Sequence, residues 1–138
     1  MKRGTFLLGL LSLTMAAPAK SPFTGMWEGK LNDLPGVDLT IEDTGGKISG
    51  TVGFYLQLRG DDGKRHVEDK YTVALLAPTV DGNVLAFEVI HHKKHGSPEL
   101  GPNVKFRMEL TGENEAVLHR VSHQPDAGSD LKLTRRIR

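Results

Sequence analysis

From residue 37 onward the chain repeats one pattern: short runs of alternating apolar and polar side chains, cut by glycine, asparagine and aspartate. Val37-Asp38-Leu39-Thr40-Ile41-Glu42 alternates strictly, and Val104-Lys105-Phe106-Arg107-Met108-Glu109-Leu110 does so with charges between. A period of two sets one row of side chains against a core and the other in water, as in a half-buried strand. No stretch after residue 20 carries a 3.6-residue period long enough for a helix. The spacing predicts strands near 24–31, 37–43, 47–58, 65–77, 84–92, 103–111, 115–122 and 130–137. The predicted fold class is all-β, an eight-stranded antiparallel up-and-down barrel.

The connections sort into two kinds. Thr44-Gly45-Gly46, Asp81-Gly82-Asn83 and Gly112-Glu113-Asn114 are short and carry residues that accept the positive φ of a tight hairpin. Asn32–Gly36, Arg59–Lys64, Lys93–Pro102 and His123–Ser129 read as mostly longer. In a meander, alternate connections fall at opposite ends. One end is therefore expected to be tight and the other loop-rich, like the closed floor and open mouth of a small barrel.

The N-terminus reads differently. Lys2 and Arg3 precede the uncharged run Thr5–Met15, and Ala17-Pro18-Ala19 follows. A basic start, a short apolar stretch and an A-x-A step make a secretory signal peptide, expected over residues 1–19 with one domain over 20–138. The run is too short for a membrane-spanning helix, and without cysteine a lipid-anchored lipoprotein is excluded. The expected location is extracytoplasmic, periplasmic or secreted, with no stable membrane anchor after cleavage. Loss of Lys2 and Arg3 leaves 16 of the 18 basic side chains against 17 acidic ones. That balance gives no electrostatic case for a nucleic-acid partner. The absence of cysteine removes thiol catalysis, thiolate metal sites and disulfides, so packing and backbone pairing must stabilise the fold.

Trp27, the only tryptophan, stands two residues from Gly25 and from Gly29 at the start of the first strand. At the tight end of a barrel, a bulky ring with small neighbours on its own face reads as a floor plug. Burying it stabilises by about 2–3 kcal/mol. Phe23-Thr24-Gly25-Met26-Trp27-Glu28-Gly29 resembles the G-x-W opening of the lipocalin and fatty-acid-binding-protein superfamily, the calycins. It is most similar to the small exported bacterial lipocalin-like proteins of unassigned role. The resemblance implies a basic residue of the last strand over the indole. Arg135 shares the parity of Leu131, Leu133 and Ile137 and is expected there, with Arg136 taking its place if a bulge shifts the register.

The six histidines, His66, His91, His92, His95, His119 and His123, all fall at or near the expected mouth. His91 follows Leu85, Phe87 and Val89 in parity, and His119 lies between Val117 and Val121. Both imidazoles are expected to enter the upper cavity, with Asp69 on the face of Val67, Tyr71 and Val73. The expected walls are Leu39, Ile41, Val52, Phe54, Leu56, Tyr71, Val73, Phe87, Val89, Phe106 and Met108. The leading functional expectation is non-catalytic binding of a small apolar or amphiphilic molecule. Phe54, Tyr71, Phe87, His91, Phe106, Met108 and His119 would be the contact set, and no cofactor is expected. Alternatives are a protein partner, as for an inhibitor of a secreted protease, haem on a buried imidazole, or a metal on His91 and His119 with Asp69 or His95. Lowest stands an enzyme using His91 and Asp69 as an acid–base pair. Asp61-Asp62-Gly63 reads as a turn rather than a calcium loop.

Overall fold

The computed structural model describes residues 21–91, 100–121 and 130–137. The expected signal peptide and the positions of His92, His95 and His123 lie outside them. Among the described residues the protein is all-β, with nine antiparallel strands and no helix. These are β1 (Gly25–Leu31), β2 (Leu34–Thr44), β3 (Lys47–Arg59), β4 (Arg65–Ala74), β5 (Leu76–Asp81), β6 (Val84–Val89), β7 (Val104–Gly112), β8 (Glu115–Val121) and β9 (Leu131–Arg135). They form one sheet in the order β4-β3-β2-β1-β9-β8-β7-β6-β5, curled into a half-barrel.

The register defines the inner face. Leu39 pairs with Trp27 on one side and Val52 on the other, and Met108 pairs with Leu85 and Leu118. These residues belong to a single apolar core with Phe23, Ile41, Phe87 and Leu133. Residues opposite each other in a ladder share a face. The strict alternation of β2 and β7 therefore sends whole rows inward: Val37, Leu39 and Ile41 on one side, Phe106 and Met108 on the other. The curl brings the two halves of the sheet together, for the rings of Phe54 on β3 and Phe106 on β7 lie 5.8 Å apart, centroid to centroid.

Three departures from the sequence reading have physical causes. First, the expected strand 65–77 divides, giving nine strands rather than eight. The run Val73-Ala74-Leu75-Leu76-Ala77 does not alternate. Leu75 is buried between the two ladders and its N–H bonds to the Gly50 carbonyl. Ala77 takes a φ of 47°, and the ladder is irregular between Leu76 and Thr79, beside Pro78, which has no N–H to donate. The chain thereby passes from β4, at one edge of the sheet, to β5, at the other. Second, the connection Asn32–Gly36 is a two-residue turn. Asn32 and Asp33 have φ of 56° and 62°, the left-handed pair of the hairpin turn that follows strand twist, and β2 begins at Leu34. Third, β6 ends at Val89, short of His91.

The outer face carries a polar clamp. Lys70 Nζ and the Tyr55 hydroxyl both donate to Asp38 Oδ2, at 2.8 and 2.9 Å, and Lys70 lies over the Tyr55 ring. The hydrogen bond to Asp38 holds the Lys70 ammonium above its ordinary value. These contacts tie β2, β3 and β4 across the solvent side, opposite the core.

Candidate functional site

The tight end of the sheet is closed by a plug built on Trp27. The indole is 1% exposed, and its Nε1–H donates to the Phe23 carbonyl at 2.9 Å. Arg135 is the register partner of Trp27 on β9, and its guanidinium carbon stands 4.4 Å from the indole centroid. The guanidinium also donates to the carbonyls of Thr24, Pro22 (2.6 Å) and Glu113 (3.2 Å). One side chain thus satisfies the segment before β1 and the β7–β8 turn while covering the ring. Arg136 instead faces outward, on Glu28 at 3.0 Å.

The flanking glycines have different purposes from the one expected. A Cβ on Gly25 would meet Arg135 Nη1 at 3.2 Å, so Gly25 makes room for the cation. A Cβ on Gly29 would lie 2.9 Å from the Lys132 carbonyl, so Gly29 lets β9 approach β1. A hollow at this end is lined by Pro22, Leu110, Gly112, Glu113, Asn114 and Arg135. Its cation is already committed to carbonyls, which leaves the hollow a structural feature of the plug.

At the other end the inner face changes character. The floor-side residues Trp27, Ile41, Leu85, Met108 and Leu133 are fully buried, whereas Phe54 and Phe106 are half-buried and Tyr71 is 43% exposed. These rings form a row across the inner face, with the buried Val89 and its partner Val104 one step farther from the plug. Tyr71 lies 5.6 Å from Phe54, Phe54 5.8 Å from Phe106, and Phe106 is stacked on Phe87 at 5.6 Å. Four strands supply it: β4, β3, β7 and β6. Tyr71, Phe54 and Phe106 thereby leave aromatic surface partly exposed on the inner face. Of the expected contact set, Phe54, Tyr71, Phe87 and Phe106 are brought together here. Met108 lies one inward step below Phe106, fully buried against Leu85 and Leu118.

The histidines do not join this row as expected. His119 lies on the outer face, because the buried residues of β8 are Ala116 and Leu118, not Val117 and Val121. Its Nε2 faces Glu109 Oε1 at 3.3 Å and its Nδ1 faces Asp130 Oδ1 at 2.9 Å. His91 keeps the parity of Phe87 and Val89, but it is exposed, past the end of β6, and its carbonyl accepts the Gly101 N–H. The pair expected to share a metal is therefore not brought together: His119 is on the outer face of β8 and His91 lies past the end of β6. Among the described residues no group of three His, Asp or Glu side chains is placed to hold a metal ion. Asp69 pairs with Leu56 on the inner face of β4, toward the mouth, where its carboxylate also accepts the Lys70 N–H.

The inward row of β8 runs Ala116, Leu118, Arg120, and Arg120 is the register partner of Phe106. The sequence reading missed this arginine. The signal was the small, easily overlooked Ala116 two residues before Leu118.

The β3–β4 turn is held by its own side chains. Asp62 accepts the Lys64 N–H at 2.9 Å and contacts His66 Nε2 at 3.0 Å. The hydrogen bond with His66, then that from Lys64, holds the Asp62 carboxyl below its ordinary 3.8. A depressed carboxyl stabilises its contacts above the ordinary value and loses them as pH falls through the lower, folded value. The Lys64 amide resonance is therefore expected to shift in one step below pH 3.8, and Asp62→Asn to abolish that step.

Comparison with protein-family models, with curated proteins and with solved structures finds no match to this chain.

Proposed function

We propose that the protein is an exported, lipocalin-like barrel that binds a small apolar or amphiphilic molecule at its open end without catalysis. The observation that carries this reading is the partly exposed aromatic row Tyr71, Phe54 and Phe106, continuous through the buried Phe87 with the apolar core. Water-accessible aromatic surface continuous with a core is what an apolar ligand gains by covering. Two features support closure of the curled sheet into a barrel. The chain links the two edges through Leu75, and the Leu75 N–H reaches Gly50 on β3. The basic start, apolar run and A-x-A step of residues 1–19 support export.

The row also limits where a ligand sits. Phe54 touches Phe106 across the interior, so side chains fill the barrel at that level. The ligand lies above the rings or parts them, and the Trp27 plug is out of its reach. The neutral dye N-phenyl-1-naphthylamine tests this. The protein is expected to enhance its fluorescence, and Phe54→Arg or Phe106→Arg to weaken binding by about tenfold, the equivalent of about 1.4 kcal/mol. Tyr71→Ser, at an exposed position, is expected to weaken it without disturbing the fold, read from the Trp27 emission. Dye binding unchanged in all three variants overturns the reading.

A further inference from the structure

We infer that His119 is an acid-set strap on the outer face: with both ring nitrogens protonated it ties β7 and the start of β9 to β8, and loss of one proton releases one of the two ties. The ring stands between carboxylates from different strands. Its Nδ1 lies 2.9 Å from Asp130 Oδ1, and its Nε2 lies 3.3 Å from Glu109 Oε1. Asp130 immediately precedes β9, and Glu109 belongs to β7. An ionised carboxylate only accepts hydrogen bonds, so both contacts are hydrogen bonds only when both nitrogens carry protons. A neutral ring has one N–H and turns the lone pair of its other nitrogen toward a carboxylate. Histidine ordinarily changes charge between about pH 5 and pH 8, a range in which ordinary carboxylates are already ionised. The strap therefore tightens on acidification across that range.

The other charges on this face come from each strand packed beside the ring. On β7, Arg107 is the register partner of His119 and opposes a charge on it. Lys105 stands one outward step away, opposite Val121, and is also the register partner of Glu88 on β6. On β9, Lys132 pairs in register with Val117 and reaches Glu115 at 3.7 Å. On β8 itself the nearest outward residues are Val117 and Val121, which are uncharged. Two carboxylates in contact with the ring against one neighbouring guanidinium leave the balance in favour of a cation. The His119 side chain is 26% exposed, so solvent and salt screen the contacts less than at an open surface.

The position of the strap gives it something to hold. Among the described residues β9 pairs with β1 at Thr134 and Arg135, and with β8 from Leu131 to Thr134. The first residues of β9 are thus paired on one side. The contact of His119 with Asp130 falls immediately beyond the last backbone pair, Leu118 with Leu131, and extends the β8–β9 ladder by one side-chain rung. The contact with Glu109 joins that rung to β7.

The test is a double-mutant cycle on the full chain at two pH values. Urea unfolding of the protein, His119→Gln, Asp130→Asn and the double variant is followed at about pH 5 and about pH 8. The coupling of His119 with Asp130 is expected to multiply the folding equilibrium constant about threefold at the lower pH, within the range for a partly exposed ion pair, and to vanish at the higher. The same cycle with Glu109→Gln is expected to change in the same direction by a smaller factor, since its contact is the longer one. All the substituted side chains lie on the outer face, so the variants are expected to fold. The ring nitrogen resonances of His119 give a second readout: both nitrogens should be protonated at the lower pH in the unsubstituted protein, and one of them at the higher. A coupling of the same size at both pH values, no coupling at either, or a singly protonated ring at both overturns the inference.

Discussion

Replacing Trp27 with alanine is expected to destabilise the protein by about 3–5 kcal/mol, the usual loss when a large buried ring is cut back to a methyl group. Domains of this size hold about 5–15 kcal/mol in total, so the variant should lie near its unfolding midpoint at moderate urea concentration. The cost has separable parts. The ring is fully buried, so its removal leaves a void under Arg135. The Phe23 carbonyl loses its Nε1–H donor, worth about 1 kcal/mol. The guanidinium loses the face it lies on, worth about 0.5–2 kcal/mol. Trp27→Phe keeps most of the ring and should recover more than half of the loss. Arg135→Met should cost about 2 kcal/mol, because water replaces only part of what the carbonyls of Thr24, Pro22 and Glu113 received. Urea unfolding of Trp27→Leu, Arg135→Met and the double variant gives the coupling directly, expected at about 1 kcal/mol. A coupling of zero would show that the cation and the ring merely sit side by side.

That pair was legible in the sequence for a specific reason. Only one row of the last strand, Leu131 and Leu133, is apolar, so the face of Arg135 follows without ambiguity. Strand β8 offers two rows that both look apolar: Val117 and Val121 around His119, and Ala116 with Leu118 before Arg120. Residue type favours the valine row, whereas the register favours the other, through Ala116 opposite Leu133 and Leu118 opposite Leu131. A shift of one residue exchanges the faces of a whole strand. One wrong choice of parity therefore placed His119 at the mouth and hid Arg120. The aromatic row was readable because β3 and β7 each have a single apolar row through Phe54 and Phe106. That these two rings touch was not readable, since it depends on how far the sheet curls.

The division of the fourth strand was also beyond the sequence pattern, and it gives the second large prediction. Gly50→Ala is expected to destabilise by about 2–3 kcal/mol, the upper part of the range for forcing extra carbon into a filled site. An added Cβ would lie 2.1 Å from the Thr40 carbonyl oxygen and 3.1 Å from Ile41 Cα, both backbone atoms that no rotamer change can move. The strand β3 must then retreat from β2 where Gly50 pairs with Ile41. Its own carbonyl, which holds the Leu75 N–H at the passage from β4 to β5, retreats with it. Loss of that bond loosens the passage from β4 to β5 against β3. Amide exchange at Leu75 should therefore speed up by a larger factor in Gly50→Ala than exchange in the β6–β7 ladder, which the substitution does not touch. Gly112→Ala is the matched control. Its Cβ would meet nothing closer than the Glu115 side chain at 3.8 Å, so stability should change by less than about 0.5 kcal/mol. If the two variants unfold at the same urea concentration, the close approach at Gly50 is not what holds β3 in place. If Gly50→Ala slows nothing and speeds exchange uniformly, Leu75 is not the local point at which the two edges are joined.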